Sequence, residues 1–112
     1  MSRRSDQDRL EDILDHALGA IDAVKGHQNT DLESDRNFRL LVERYIEIIG
    51  EAAARVSDQT RSQLPDVQWE NIIGMRNILI HGYFDIDLDI LWETAVTNLP
   101  ALVLAIRSHL ES

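Results

Sequence analysis

The chain has 112 residues, no cysteine, 11 basic and 20 acidic side chains, and a formal net charge of -9. Hydrophobic residues at 44% and charged residues at 28% describe a globular sequence rather than a disordered one, of a size for one domain over residues 1–112. This composition excludes a disulfide framework and a thiolate metal site, makes the cytoplasm the expected compartment, and argues against a protein that grips nucleic acid by bulk positive charge. No unbroken apolar run approaches the ~18 residues of a membrane span, and the start of the chain leads into no apolar signal core, so no membrane association is expected.

Apolar residues recur at three- and four-residue spacing throughout, which predicts amphipathic helices and no strands. Leu10, Ile13, Leu14, Ala17, Ile21 and Val24 form the stripe of a first helix, and the Lys25–Asn29 stretch breaks it. Thr30 and Glu33 have the spacing of a capping box, so a second helix is expected from about Asp31. Its stripe reads Phe38, Leu41, Tyr45, Ile48, Ala52 and Val56, and it is expected to run to about Leu64. Gly50 in its middle implies a neighbouring helix crossing closely there. Asp66 is the expected N-cap of a third helix from about Val67, carrying Trp69, Ile72, Ile73, Arg76 and Ile80 and ending at Gly82. Asp85 or Asp87 starts a fourth; with Asp87 as cap, Ile86 and Leu91 form a hydrophobic staple. Pro100 fits the first turn of a fifth helix, completed by Leu102, Val103, Ile106 and Leu110. The expected fold is an all-α up-and-down bundle of four to five helices.

Most chemical motifs fail on spacing. Asp85, Asp87 and Asp89 resemble the start of a calcium loop, but Ile90 stands where its glycine belongs and Val96 where its glutamate belongs. Asp12 and His16 are four apart, and one such pair is no metal site; His16, His27 and His109 read as solvated. Neither a metal nor a cofactor is expected. Residues 74–84 are different. Arg76 lies on the core-facing side of its helix, where a lone guanidinium is expensive unless something pairs with it. Asn77 and His81 share a helix face, and Tyr83 follows the glycine terminator. The four side chains either cap a helix end and satisfy one another, or they address a phosphate: arginine binds one bidentately, and histidine moves protons near neutral pH.

The motif Arg76-Asn-Ile-Leu-Ile-His81-Gly-Tyr83 resembles the signature of HepT-like toxins of the HEPN superfamily. The likeness extends to Tyr45–Ala52, to the Trp69–Arg76 approach, and to Asp85–Trp92 with Leu99-Pro100 beyond it. It implies a HEPN-like, dimer-forming bundle and a metal-independent endoribonuclease with its cleft at the subunit interface. Arg76 would hold the scissile phosphate, His81 would act as general acid or base, and Asn77 would orient either. It further implies a homodimer and a minimal nucleotidyltransferase antitoxin that silences the toxin by moving AMP onto Tyr83. Arg76 and His81 are five residues apart, about 140° around a regular helix, which suits a composite site with a second copy, although an unwound last turn serves equally. Glu51, beside Gly50, is a candidate partner for Arg76. Residues 36–61 are the only block that is not acidic, so Arg36, Arg39 and Arg44 are candidate RNA contacts. The competing class is a non-catalytic helical dimer that binds a nucleotidyltransferase or a nucleotide.

Overall fold

The computed structural model describes residues 5–82 and 86–112, all helix, turn or loop with no strand among them. The first helix, α1 (Asp6–Val24), opens on a capping box: the Ser5 hydroxyl accepts from the Asp8 N–H, and the Asp8 carboxylate accepts from the Ser5 N–H, each at 3.1 Å. Leu10, Ile13, Ala17, Ala20 and Val24 face inward along it. The helix closes where Gly26 takes a φ of +78°, a left-handed conformation that costs a glycine nothing.

The second segment departs from the sequence expectation in three ways. Thr30 makes no side-chain cap; the Asp31 carboxylate instead accepts from the Gln28 N–H at 2.9 Å. Only one helical turn follows, α2 (Asp31–Ser34), which buries Leu32. The long helix is α3 (Arg36–Ala54), capped by Asp35, whose carboxylate accepts from the Phe38 N–H at 3.1 Å. It also stops ten residues short of Leu64. Arg61 donates to the Ala53 carbonyl at 2.9 Å, and Ser57 caps a separate short helix, α4 (Asp58–Ser62). The Asp6 carboxylate, at the start of α1, accepts from the Ser57 N–H and from the hydroxyls of Ser57 and Thr60. The break between α3 and α4 is thus fixed from 51 positions away, beyond the reach of local pattern. The buried stripe is also turned: Val42, Ile46, Ile49 and Ala53 join Phe38 in the core, while Leu41 is 46% exposed and Tyr45 and Ile48 are half-buried. A helix flanked by two neighbours buries the arc between them, and a single stripe misses that.

Those neighbours are α1 and α5 (Trp69–His81). Asp66 is not the cap of α5; Gln68 occupies that position, and its side chain caps no backbone N–H but accepts from the Asn71 side-chain amide. Trp69 anchors the start of α5, donating its indole N–H to the Leu64 carbonyl at 3.3 Å beneath the Arg61 guanidinium. Further along, a Cβ at Gly50 would lie 2.2 Å from the Cβ of Arg76 and 3.1 Å from the Ile72 carbonyl, so the close crossing expected at Gly50 is present. With Trp69 level with the end of α3 and Arg76 beside Gly50, the two helices run antiparallel. The C-terminal turn of α5 therefore lies towards the N-terminal half of α3.

Asp87 caps α6 (Leu88–Glu93), accepting from the N–H groups of Asp89 at 2.9 Å and Ile90 at 3.2 Å, while Ile86 and Leu91 pack into the core. Asp85, the alternative cap, lies outside the described residues. Pro100 falls in the first turn of the last α-helical segment, as expected, but that segment does not start afresh. A π-helical turn, Thr94–Asn98, joins α6 to α7 (Leu99–Glu111), with the Leu99 N–H bonding to the Thr94 carbonyl five residues back. The wider turn absorbs the missing proline N–H that would break a regular helix. The result is one helix from Leu88 to Glu111, long and apolar enough by length and composition to cross a membrane, which the discontinuous apolar runs did not suggest. Its inward stripe of Leu91, Ala95, Leu99, Leu102, Val103 and Ile106 is spent on the bundle core, where α7 packs against α1.

Candidate active site

Arg76 enters the site from the α3–α5 seam. Gly50 leaves room for its Cβ, and its side chain runs out along α5 until Nη1 donates to the Asn77 Oδ1 at 2.7 Å. Its Nε is buried and bonds to no protein atom. The Nη donors that Asn77 does not take are left for a ligand such as a phosphate. His81 closes α5 with its imidazole exposed, four residues after Asn77 and so on the same side of the helix. The bond to Asn77 draws the guanidinium towards that side and narrows the 140° that separates the two residues on a regular helix. Asn77 thus ties the Arg76 guanidinium to the side of α5 on which His81 lies. Tyr83 lies outside the described residues, so its expected place at this helix end is not part of the geometry.

Helical phase sorts the other candidates. Counting from Gly50 around α3 and from Arg76 around α5, Arg44, Glu47 and Glu51 fall on the same side of the seam as Asn77 and His81. The opposite side carries Ile46, Ile49, Ile72 and Met75, which with Ile78, Ile90, Leu99 and Leu102 line an apolar groove of about 530 Å³ between α5 and α7. Glu51 is not the partner of Arg76. It projects towards α1, into a second and smaller pocket of about 220 Å³ shared with Arg9, Asp12, His16 and Arg55. The three arginines of the α3 track are not equivalent. Arg36 is exposed at the first position of the helix, Arg39 is paired with Glu43 at 3.3 Å, and Arg44 with Glu47 at 2.5 Å. Arg44 is the one whose phase and level match His81.

Two acidic residues that sequence reasoning passed over shape this surface. Glu43 is largely enclosed, and burial pushes its carboxyl above the usual glutamate range; Arg39 pulls it back in part, and Glu47 adds to the rise. Glu47 holds Arg44 in place. Their i,i+4 and i,i+3 spacing from the arginines was legible, but nothing in the sequence told which side of α3 would meet α5. The histidines also differ from expectation. His16 is half-buried, donating from Nδ1 to the Asp12 carbonyl at 2.7 Å, with its ring edge-on to Tyr45. His27 stacks on Phe38 at 3.9 Å and meets the Asp31 carboxylate. No group of three or more metal-ligating side chains occurs among the described residues.

The all-helical bundle, with Arg76, Asn77 and an exposed His81 in the last two turns of α5, is of the HEPN type. The chain belongs to the ribonuclease HepT-like family, whose model matches residues 9–108. Among its relatives, a Methanocaldococcus jannaschii protein named by inference as an RNase is 36% identical over 91% of this chain and 94% of its own length. A second inferred RNase, from Caldanaerobacter subterraneus subsp. tengcongensis, is 35% identical over 91% of each chain. A Thermococcus cleftensis protein named "Probable ribonuclease HepT" is 33% identical over 89% of this chain and 91% of its own. No solved structure matches the chain significantly.

Proposed function

We propose that residues 1–112 form the toxin of a toxin–antitoxin pair, an endoribonuclease that cleaves RNA without a metal ion. The observation that carries this reading is Arg76 itself: a buried Nε without a partner and an Nη1 steered by Asn77 towards the side of α5 that ends in His81. The guanidinium takes the scissile phosphate. An imidazole removes the proton of the ribose 2′-hydroxyl, whose oxygen attacks phosphorus, and the 5′-oxygen leaves with a proton from a second acid. The products are a 2′,3′-cyclic phosphate and a 5′-hydroxyl, and His81 serves as the base or the acid. A second copy of the chain supplies the other imidazole, and the unfilled groove beside α5 favours this homodimer. Arg44, and beyond it Arg39 and Arg36, line the approach of the RNA.

Growth arrest on expression, with and without substitution, tests the reading. Wild type should arrest growth, and Arg76→Ala and His81→Ala should each abolish the arrest and lower RNA cleavage in EDTA by about 10²-fold or more. If both folded variants stay as active as wild type, the reading fails and the chain is a non-catalytic helical dimer that binds a partner protein or a nucleotide.

Silencing is proposed to come from a minimal nucleotidyltransferase that moves AMP from ATP onto the Tyr83 hydroxyl, with pyrophosphate leaving. The added phosphodiester places negative charge and bulk near Arg76, in competition with RNA phosphate. Incubation with the cognate transferase and ATP should add whole AMP units to the intact mass, and Tyr83→Phe should lose that gain; an equal gain in Tyr83→Phe removes the assignment.

A further inference from the structure

We infer that the pocket between α1 and α3 is a second nucleotide-binding subsite, which holds one phosphate-bearing unit of the RNA strand away from the scissile bond. This rests on the ribonuclease reading, because the ligand it names is the substrate strand.

Arg9 from α1 and Arg55 at the end of α3 both line this pocket, and neither is in an ion pair among the described residues. Their guanidinium groups are therefore open to an anion, as those of Arg39 and Arg44, each held by a glutamate, are not. The floor between them is apolar, made by Ile48 and Ala52. His16 stands at the wall. Its Nδ1–H is committed to the Asp12 carbonyl and its ring is braced against Tyr45, so the remaining Nε2 is fixed as an acceptor when neutral and a donor when protonated. Glu51 adds an acceptor suited to a ribose hydroxyl or an exocyclic amine, and Asp12 is the second carboxylate of the lining. Two arginines for a phosphate, an apolar floor for a base, and a carboxylate with an imidazole for polar edges make a set that fits a nucleotide better than a bare anion, which the two carboxylates would oppose. The volume, about 220 Å³, suits one such unit.

Position ties the pocket to cleavage. Glu51 neighbours Gly50, the residue on which Arg76 rests, so the pocket lies across α3 from Arg76, about one helix width or ~10 Å away. A strand that leaves Arg76 on the Asn77 side passes Glu51 before it reaches Arg55 and Arg9. The pocket would then set how many nucleotides the enzyme reads, with phosphate contacts fixing the register.

The test uses the full chain and a labelled oligoribonucleotide whose 2′-hydroxyls are replaced by hydrogen, so that it binds without being cut. The Arg9→Gln/Arg55→Gln variant should bind it about tenfold more weakly. Its dependence of log Kd on log salt should be shallower by roughly 0.7 for each phosphate that is no longer neutralised. Arg9→Lys/Arg55→Lys should retain most of the affinity, and the His16 ring signals should shift on adding the strand. A folded Gln/Gln variant with unchanged affinity and unchanged salt slope overturns the proposal. His16 shifts produced by 5′-AMP or inorganic phosphate, with strand affinity indifferent to the Gln/Gln change, also overturn it by assigning the pocket to a free ligand. Because the strand is uncleavable, these results are independent of the Arg76→Ala and His81→Ala assays that test the ribonuclease reading.

Discussion

At the scale of single residues, the site depends on an absence of atoms. Gly50 costs α3 about 1 kcal/mol of helix propensity relative to alanine, and in return the Arg76 Cβ sits where a Cβ at position 50 would have to be. Gly50→Ala must therefore push α5 away, and overpacking of this kind costs about 1–3 kcal/mol, against which the propensity gain is the smaller term. The variant should melt several degrees below wild type, and its RNA cleavage should fall with the displacement of Arg76. A midpoint at or above that of wild type would show that the α3–α5 seam yields. The motif from Arg76 to His81 was legible in the sequence because it is contiguous, and the close approach at Gly50 was legible because a mid-helix glycine needs a reason. The position of Glu51 was not. Adjacent residues on a helix point about 100° apart, so a side chain next to Gly50 belongs to a different surface from the one Gly50 serves.

At the scale of elements, helix ends decide what can be read locally. Ser5 with Asp8, and Asp87 with the amides of Asp89 and Ile90, are caps made within four residues; Asp87 was one of the two caps expected there from sequence. The end of α3 was not foreseen, because Asp6, 51 positions away in sequence at the start of α1, enforces it. The hydroxyls of Ser57 and Thr60 and the Ser57 N–H hold the Asp6 carboxyl below the usual aspartate range. A depressed folded pKa adds stability that is fully present above the unfolded value near 3.8 and is lost as pH falls through the lower folded value. Asp6→Asn should lower the midpoint at neutral pH by roughly 2–5 °C and flatten its decline below about pH 3.8, both read by thermal melts across pH. Glu43 acts in the opposite sense: its raised carboxyl makes ionised Glu43 a cost, relieved as acid protonates it. An unchanged acid limb in Asp6→Asn would mean that the contact between α1 and α4 contributes nothing. Pro100 shows the converse limit of local reading, since the π-helical turn before it lets a residue that usually starts a helix sit inside one.

At the scale of the whole molecule, one side of α5 has no packed neighbour among the described residues. Ile78 and Ile90 are 48% and 52% exposed on the rim of the α5–α7 groove, and a Cβ built on Gly74 meets nothing within 4 Å. A helical glycine facing open space gains nothing inside its own chain, whereas it would let a second helix approach closely. Ile78 lies four residues along the same face, and His81 is three beyond it, so a two-fold contact centred on Gly74 and Ile78 would carry the histidine of each copy to the edge of the joint. Such a contact also answers the charge problem: an apolar patch can overcome the repulsion between two chains of net charge -9 that a polar interface could not. Ile78→Asp, exposed enough in the single chain to leave its fold intact, should convert the proposed dimer to monomer in sedimentation and lower RNA cleavage by at least tenfold, while Arg76 and His81 remain untouched. A wild-type protein that sediments as a monomer at concentrations where it cleaves RNA, or an Ile78→Asp monomer of full activity, would return the whole reaction to one chain and leave the hydrogen bond from Arg76 to Asn77 as the sole device that brings its two catalytic groups together.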